Sequence, residues 1–179
     1  MTIQTRVPVV AIVGRSGAGK TTLIEQLIPE LKRRGYRVGT IKHHAHPDFE
    51  IDYEGTDSWR HAQAGSDHVV LAAADKIASV RRLEQELPVE QIVNTVMGDT
   101  DIVLTDGYRR SALPKIEVVR AARCPEPLCA PHELLAVITD AELSGFDVPR
   151  LALHDVKGMA DLIEDKIIRT HQPPEPPGG

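Results

Sequence analysis

The string Gly14-Arg15-Ser16-Gly17-Ala18-Gly19-Lys20-Thr21 satisfies G-x-x-x-x-G-K-[S/T] in full. Residues 7–13 before it form an apolar run, interrupted only by Pro8. Residues 21–34 after it carry Leu23, Ile24, Leu27, Ile28 and Leu31 at helical spacing. A buried strand, a glycine-rich turn and an amphipathic helix in that order confine the chain to folds that hold an anion between a strand end and a helix start. Glycines let successive backbone N–H groups curl inward toward an anion, and the helix start adds free N–H groups and a positive dipole end. Lys20 is then expected to reach the β- and γ-phosphates of a nucleotide and to act in any hydrolysis, with the Thr21 hydroxyl on Mg²⁺. The string lacks the G-x-G opening of a dinucleotide fingerprint.

The rest of the chain alternates between strand and helix patterns. Strands are expected at residues 36–42, 101–105, 115–119 and 134–138, with a short last one at 151–153. Residues 67–73 and 76–81 read as a hairpin turning at Ala74-Asp75. Helices are expected at 56–64, 89–97 and 156–168, and Pro29 predicts a kink or break in the first helix. The order predicts an α/β three-layer sandwich of the P-loop NTPase type, with a mostly parallel sheet, helices on both faces and an antiparallel hairpin. One nucleotide-binding domain is expected over residues 1–170, followed by a disordered Pro/Gly-rich tail at 171–179.

Ligands of open α/β sheets collect at the carboxyl ends of the strands, so residues there are the candidates for chemistry. Asp106 follows the strand expected at 101–105, at its carboxyl edge, and is expected to hold Mg²⁺ or position a water, hence to be catalytic with Lys20. Asp48 and Asp52, in the polar segment after the second strand, are further magnesium candidates. His43, His44 and His46 fit no strong zinc spacing, and a switch-like loop is the better reading of that segment. Asp57-Ser58 begins the next helix, where it reads as an N-cap at least as readily as a ligand contact. Asp140, after the strand near residues 134–139, stands where it could contact a guanine base or close a turn. Cys124 and Cys129 form half a metal site at most. Arg15, Arg109 and Arg110 are cations near the expected site, each open to a solvated role.

Composition excludes some classes of function. Of 179 residues, Lys and Arg number 21 against 26 Asp and Glu, a formal charge of −5, which argues against a general grip on nucleic acid. Two cysteines are too few for a disulfide framework, and there is neither a signal-peptide run nor an apolar stretch of about 18 residues that would cross a membrane. A cytoplasmic protein is expected.

Several separated strings together resemble the molybdopterin-guanine dinucleotide biosynthesis protein B (MobB) family. They are Gly14 to Thr22, Thr40-Ile-Lys-His-His44, Gly55-Thr-Asp-Ser-Trp-Arg-His61, Asp106-Gly-Tyr108, Leu113-Pro-Lys-Ile-Glu-Val118 and Ala136-Val-Ile-Thr-Asp140. The resemblance covers roughly residues 7–168. It implies a GTP-binding accessory protein with weak GTPase activity, a homodimer that assists the guanylyltransferase of molybdenum cofactor and that meets the cofactor itself in one version of the role. It carries phosphate and magnesium roles onto Gly17, Gly19, Lys20, Thr21 and Thr22. Two departures stand out: Asp106 replaces the usual Glu, and Glu54-Gly55-Thr56 replaces Pro-Gly-Lys. A small-molecule kinase and a dimerising module without turnover are the alternatives, and the kinase reading lacks a lid-sized insertion.

Overall fold

Every residue of β1 (Val9–Val13) is buried, because the strand lies in the middle of its sheet with helices over both faces. The computed structural model describes residues 4–44, 52–123, 125–143 and 145–174. Asp48, His46, Cys124 and residues 175–179 of the expected tail therefore lie outside the described residues. The chain divides into two compact units: one takes the described residues up to His43 and from Pro88 onward, the other those of His44–Leu87.

The larger unit is built on a six-stranded sheet in the order β2-β5-β1-β6-β7-β8, with every pairing parallel. The strands are β1, β2 (Val38–Lys42), β5 (Ile102–Asp106), β6 (Lys115–Val119), β7 (Leu134–Thr139) and β8 (Arg150–Leu151). Alternate residues of a strand face opposite sides of a sheet, and two cores result. On one side Val10, Ile12, Leu104 and Ile116 pack with Leu27 and Leu31 of α1 (Lys20–Arg33) and Met159 and Ile163 of α4 (Val156–Ile163). On the other, Val9, Ala11, Val13 and Val103 pack with Val89 and Val93 of α3 (Val89–Val96). This is the three-layer architecture the alternation predicts, in the P-loop NTPase class.

Helix α1 is not broken at Pro29. Leu27 and Leu31, on either side of the proline, are fully buried, and that packing holds the helix across the lost hydrogen bond. The helix ends where expected. Gly35 takes φ 94°, its N–H donates to Lys32 O at 3.0 Å, and the Tyr36 N–H donates to Leu31 O at 3.1 Å, a Schellman closure. The expected last helix is two segments. After Ile163 the backbone widens into π-helical turns at Glu164–Ile168, where the Arg169 N–H donates to Glu164 O at 3.0 Å.

The smaller unit holds α2 (Asp57–Gln63) and an antiparallel ribbon of β3 (His68–Ala72) and β4 (Ile77–Arg81). Thr56, not Asp57 or Ser58, caps α2: its side-chain oxygen accepts from the Trp59 N–H at 3.2 Å. The ribbon turns at Ala74-Asp75 as predicted, with the Ala73 N–H donating to Lys76 O at 2.9 Å. No residue of α2 is buried, and Val70, Leu71 and Ile77 of the ribbon are exposed.

Candidate functional site

The site forms where β1 ends between β5 and β6. Gly14, Gly17 and Gly19 take φ of 140°, 74° and 102°, the left-handed curl that points backbone N–H groups toward one centre. The loop also lies hard against β6, since a β-carbon on Gly14 would stand 2.5 Å from the Val118 carbonyl oxygen. Gly19 then caps α1, whose first helical residue is Lys20. The Lys20 ammonium donates to Gly14 O at 3.0 Å and Arg15 O at 2.9 Å, so it lies across the mouth of the loop, paired with no carboxylate among the described residues.

β5 brings the acid. Its register sets Asp106 beside Ile12 of β1 and beside Lys42 of β2. Asp106 is 8% exposed, and its Oδ2 accepts from the Thr21 hydroxyl at 3.4 Å and from the Lys42 ammonium at 2.5 Å. One further backbone bond on each side continues the ladders past the strand ends: His43 N–H to Asp106 O, and Gly107 N–H to Ile12 O, both at 3.1 Å. Beyond them the chain turns sharply through Gly107 and Tyr108, at φ 109° and 60°, and the Tyr108 ring meets that of His43 with centroids 4.8 Å apart.

These residues fit the groups that the loop implies. Mg²⁺ typically takes one or two protein oxygens and completes its shell with phosphates and waters, and a hydroxyl and a carboxylate oxygen 3.4 Å apart supply that share. Among the described residues no cluster of three or more His, Cys, Asp or Glu is able to hold a metal by itself. The three curled glycines and the Lys20 ammonium fit a polyphosphate.

The other expected residues are spread more widely. Asp140 follows β7, two strands from β1; its Oδ1 accepts from the Ala121 N–H at 2.8 Å and its Oδ2 lies 3.6 Å from Arg120. Arg120 also lines a cavity of about 240 Å³ with Ala18, Thr22, Gln26, Leu153 and His154, beside the phosphate loop. Asp52 belongs to the smaller unit, where its carboxylate accepts from the Tyr53 N–H and the Thr56 hydroxyl. Its pKa is lowered, first by a hydrogen bond from Ser58. Ser16, Arg15, Arg109 and Arg110 are exposed. Cys129 is buried, and burial with the nearby Glu117 carboxylate pushes its thiol up to about 11, which makes it an inert thiol.

Three residues escape the sequence reading. Lys42 carries no local signal of its own, yet a lysine ending one strand and an aspartate ending its parallel neighbour are brought side by side by register. Arg123 lies over the loop: a β-carbon on Gly17 would stand 2.8 Å from its Nη1. Glu117, fully buried in β6, accepts from the Leu128 N–H at 2.6 Å and the Cys129 N–H at 3.0 Å, and so anchors the segment that carries Arg120 and Arg123. A charged residue inside an apolar strand was the available signal for Glu117. Nothing in the local sequence marks Arg123.

The family model for molybdopterin guanine dinucleotide synthesis protein B matches residues 9–140. A molybdopterin-guanine dinucleotide biosynthesis adapter protein of Haemophilus influenzae is 35% identical over 171 residues, covering 94% of each chain. The adapter protein of the same description from Escherichia coli is 34% identical over 165 residues, covering 89% of this chain and 93% of its own. A crystal structure of molybdopterin-guanine biosynthesis protein B superposes with a TM-score of 0.68 at 29% identity, over 88% of this chain and 97% of its own.

Proposed function

Since the chain belongs to the molybdopterin guanine dinucleotide synthesis protein B family, we propose that it is a GTP-binding adapter in the guanylylation of molybdenum cofactor. It works in the cytoplasm beside the guanylyltransferase, which performs the transfer. The observation that carries this reading is the meeting of Lys20, Thr21 and Asp106 at the mouth of the curled loop. Residues 14–19 wrap the phosphates with their N–H groups, and Thr22 follows them into the first turn of α1. Bound Mg²⁺ would be held by Thr21 and Asp106 and would neutralise phosphate charge. In this reading the nucleoside lies toward the cavity beside Thr22, whose lining Arg120 pairs with Asp140.

Hydrolysis is slow in this reading. A water oxygen attacks the γ-phosphorus, the bond to the β–γ bridging oxygen breaks, and GDP and phosphate leave. Lys20 offsets the charge that gathers on the leaving oxygen. Arg15, Arg109 and Arg110 are exposed, and a cation held over the γ-phosphate is worth roughly 10³ to 10⁵ in rate.

The homodimer belongs to the same reading. A two-stranded ribbon is marginal alone, and this one leaves Val70, Leu71 and Ile77 exposed beside a helix with no buried residue. A second copy of the ribbon is the partner that would cover them.

The test is equilibrium binding of a fluorescent guanine nucleotide, run with co-purification of the guanylyltransferase. Lys20→Ala should lose nucleotide binding while staying folded, and Asp106→Asn should weaken the magnesium-dependent part. Unchanged binding by Lys20→Ala overturns the phosphate-loop assignment. Failure of the intact protein to retain the transferase overturns the adapter role.

A further inference from the structure

We propose that Lys42 is a positioning residue that serves as the stand-in cation of Asp106, balancing the carboxylate's charge while metal is absent and competing with the divalent ion for the same oxygen. The proposal rests on the nucleotide-binding reading above. Parallel register puts the two residues side by side at the ends of β2 and β5. The Lys42 ammonium then lies 2.5 Å from Asp106 Oδ2, the oxygen that also faces the Thr21 hydroxyl. A metal seated between Thr21 and Asp106 would need that oxygen, and an ammonium on it would stand against the metal's charge.

The two partners differ in freedom. The Asp106 side chain is 10% exposed and is set in the wall of the site, whereas the Lys42 side chain is 65% exposed on a flexible stem. Lys42 is therefore the partner that moves away. Lys20 does not substitute for it, because its ammonium is turned onto the carbonyls of Gly14 and Arg15. Among the described residues Lys42 is the one cation paired with this poorly hydrated carboxylate. Without it Asp106 would face the nucleotide phosphates as an unbalanced negative charge whenever metal is absent.

The test uses the full chain and a fluorescent guanosine diphosphate, titrated with Mg²⁺, with Mn²⁺ binding to the nucleotide-free protein followed by electron paramagnetic resonance. Lys42→Met keeps the stem and removes the charge; Lys42→Gln is the second neutral variant, and Lys42→Arg keeps the charge. For the neutral variants the Mg²⁺ midpoint should fall at least threefold and Mn²⁺ should bind the nucleotide-free protein more tightly, with Lys42→Arg close to the parent. A midpoint that stays put or rises in both neutral variants overturns the proposal and leaves the nucleotide reading standing. Loss of nucleotide binding at every Mg²⁺ concentration in folded neutral variants also overturns it, since Lys42 would then be a phosphate ligand. A parent protein that binds no guanine nucleotide overturns the reading beneath it.

Discussion

The buried carboxylate of Glu117 accepts the backbone N–H of Cys129 at 3.0 Å, and thereby ties a segment outside the sheet to the middle of β6. Its other oxygen takes the Leu128 N–H at 2.6 Å, so both oxygens face donors. Glu117→Gln sets an amide N–H₂ against one of those donors. The expected cost is about 1–3 kcal/mol in urea unfolding, with proteolytic sensitivity rising first in residues 120–130.

Gly14 is fixed by both geometry and space. Its φ is 140°, and a β-carbon there meets backbone oxygen, which no rotamer change relieves. Gly14→Ala should lower stability by about 1–3 kcal/mol and remove guanine-nucleotide binding, because the loop must leave β6 to make room. Calorimetric melting and a nucleotide titration read the two effects. Parent-like values in both would refute the assigned approach.

Arg123 presents its guanidinium to the middle of the loop; its backbone N–H donates to Arg120 O at 3.2 Å, and among the described residues its side chain makes no hydrogen bond or ion pair. Arg123→Ala should weaken triphosphate binding about tenfold, which corresponds to about 1.4 kcal/mol, and leave the melting temperature unchanged. Arg123→Lys should recover part of the loss. The loss should shrink at high ionic strength.

Acid stability should follow the carboxylates paired with arginine. Hydrogen bonds from Arg33 and then Arg34 lower Glu30 from 4.5 to about 2, and Arg37 lowers Asp101 from 3.8 to about 2. A carboxylate depressed by folding adds stability that is complete above its unfolded pKa and is lost as pH falls through the folded one. The urea midpoint should therefore decline as pH drops from about 4.5 toward about 2. Arg34 also pairs with Asp161 and Glu164, so Arg34→Met should flatten that decline more than Arg33→Met. Equal curves for the two variants would contradict the network.

Local pattern made much of this legible. The continuous apolar run announced β1, the helical spacing announced α1, and the strand-end position pointed to Asp106. What local pattern lacks is adjacency. Lys42 and Asp106 are 64 residues apart and meet because β2 pairs with β5, which no window along the chain reveals. Asp106 belongs to β5 itself, one residue past the expected end, because its neighbours Ile12 and Lys42 extend the ladder there. The π-helical turns begin at Glu164, whose carboxylate is held by Arg34 and Tyr36 from distant sequence. Propensity along residues 156–168 could not register that tether.

β1 has no free edge, since β5 and β6 pair with it on either side. Its amides can exchange with solvent only when the sheet itself comes apart, so the floor of the phosphate loop shares the slowest opening of the larger unit. A nucleotide bound there would be felt by the whole unit as well as by the loop. At a ligand concentration 100 times its dissociation constant it would add about 2.7 kcal/mol to the resistance of every core amide against exchange. Occupancy of the loop would thus set how long the larger unit survives as a folded body.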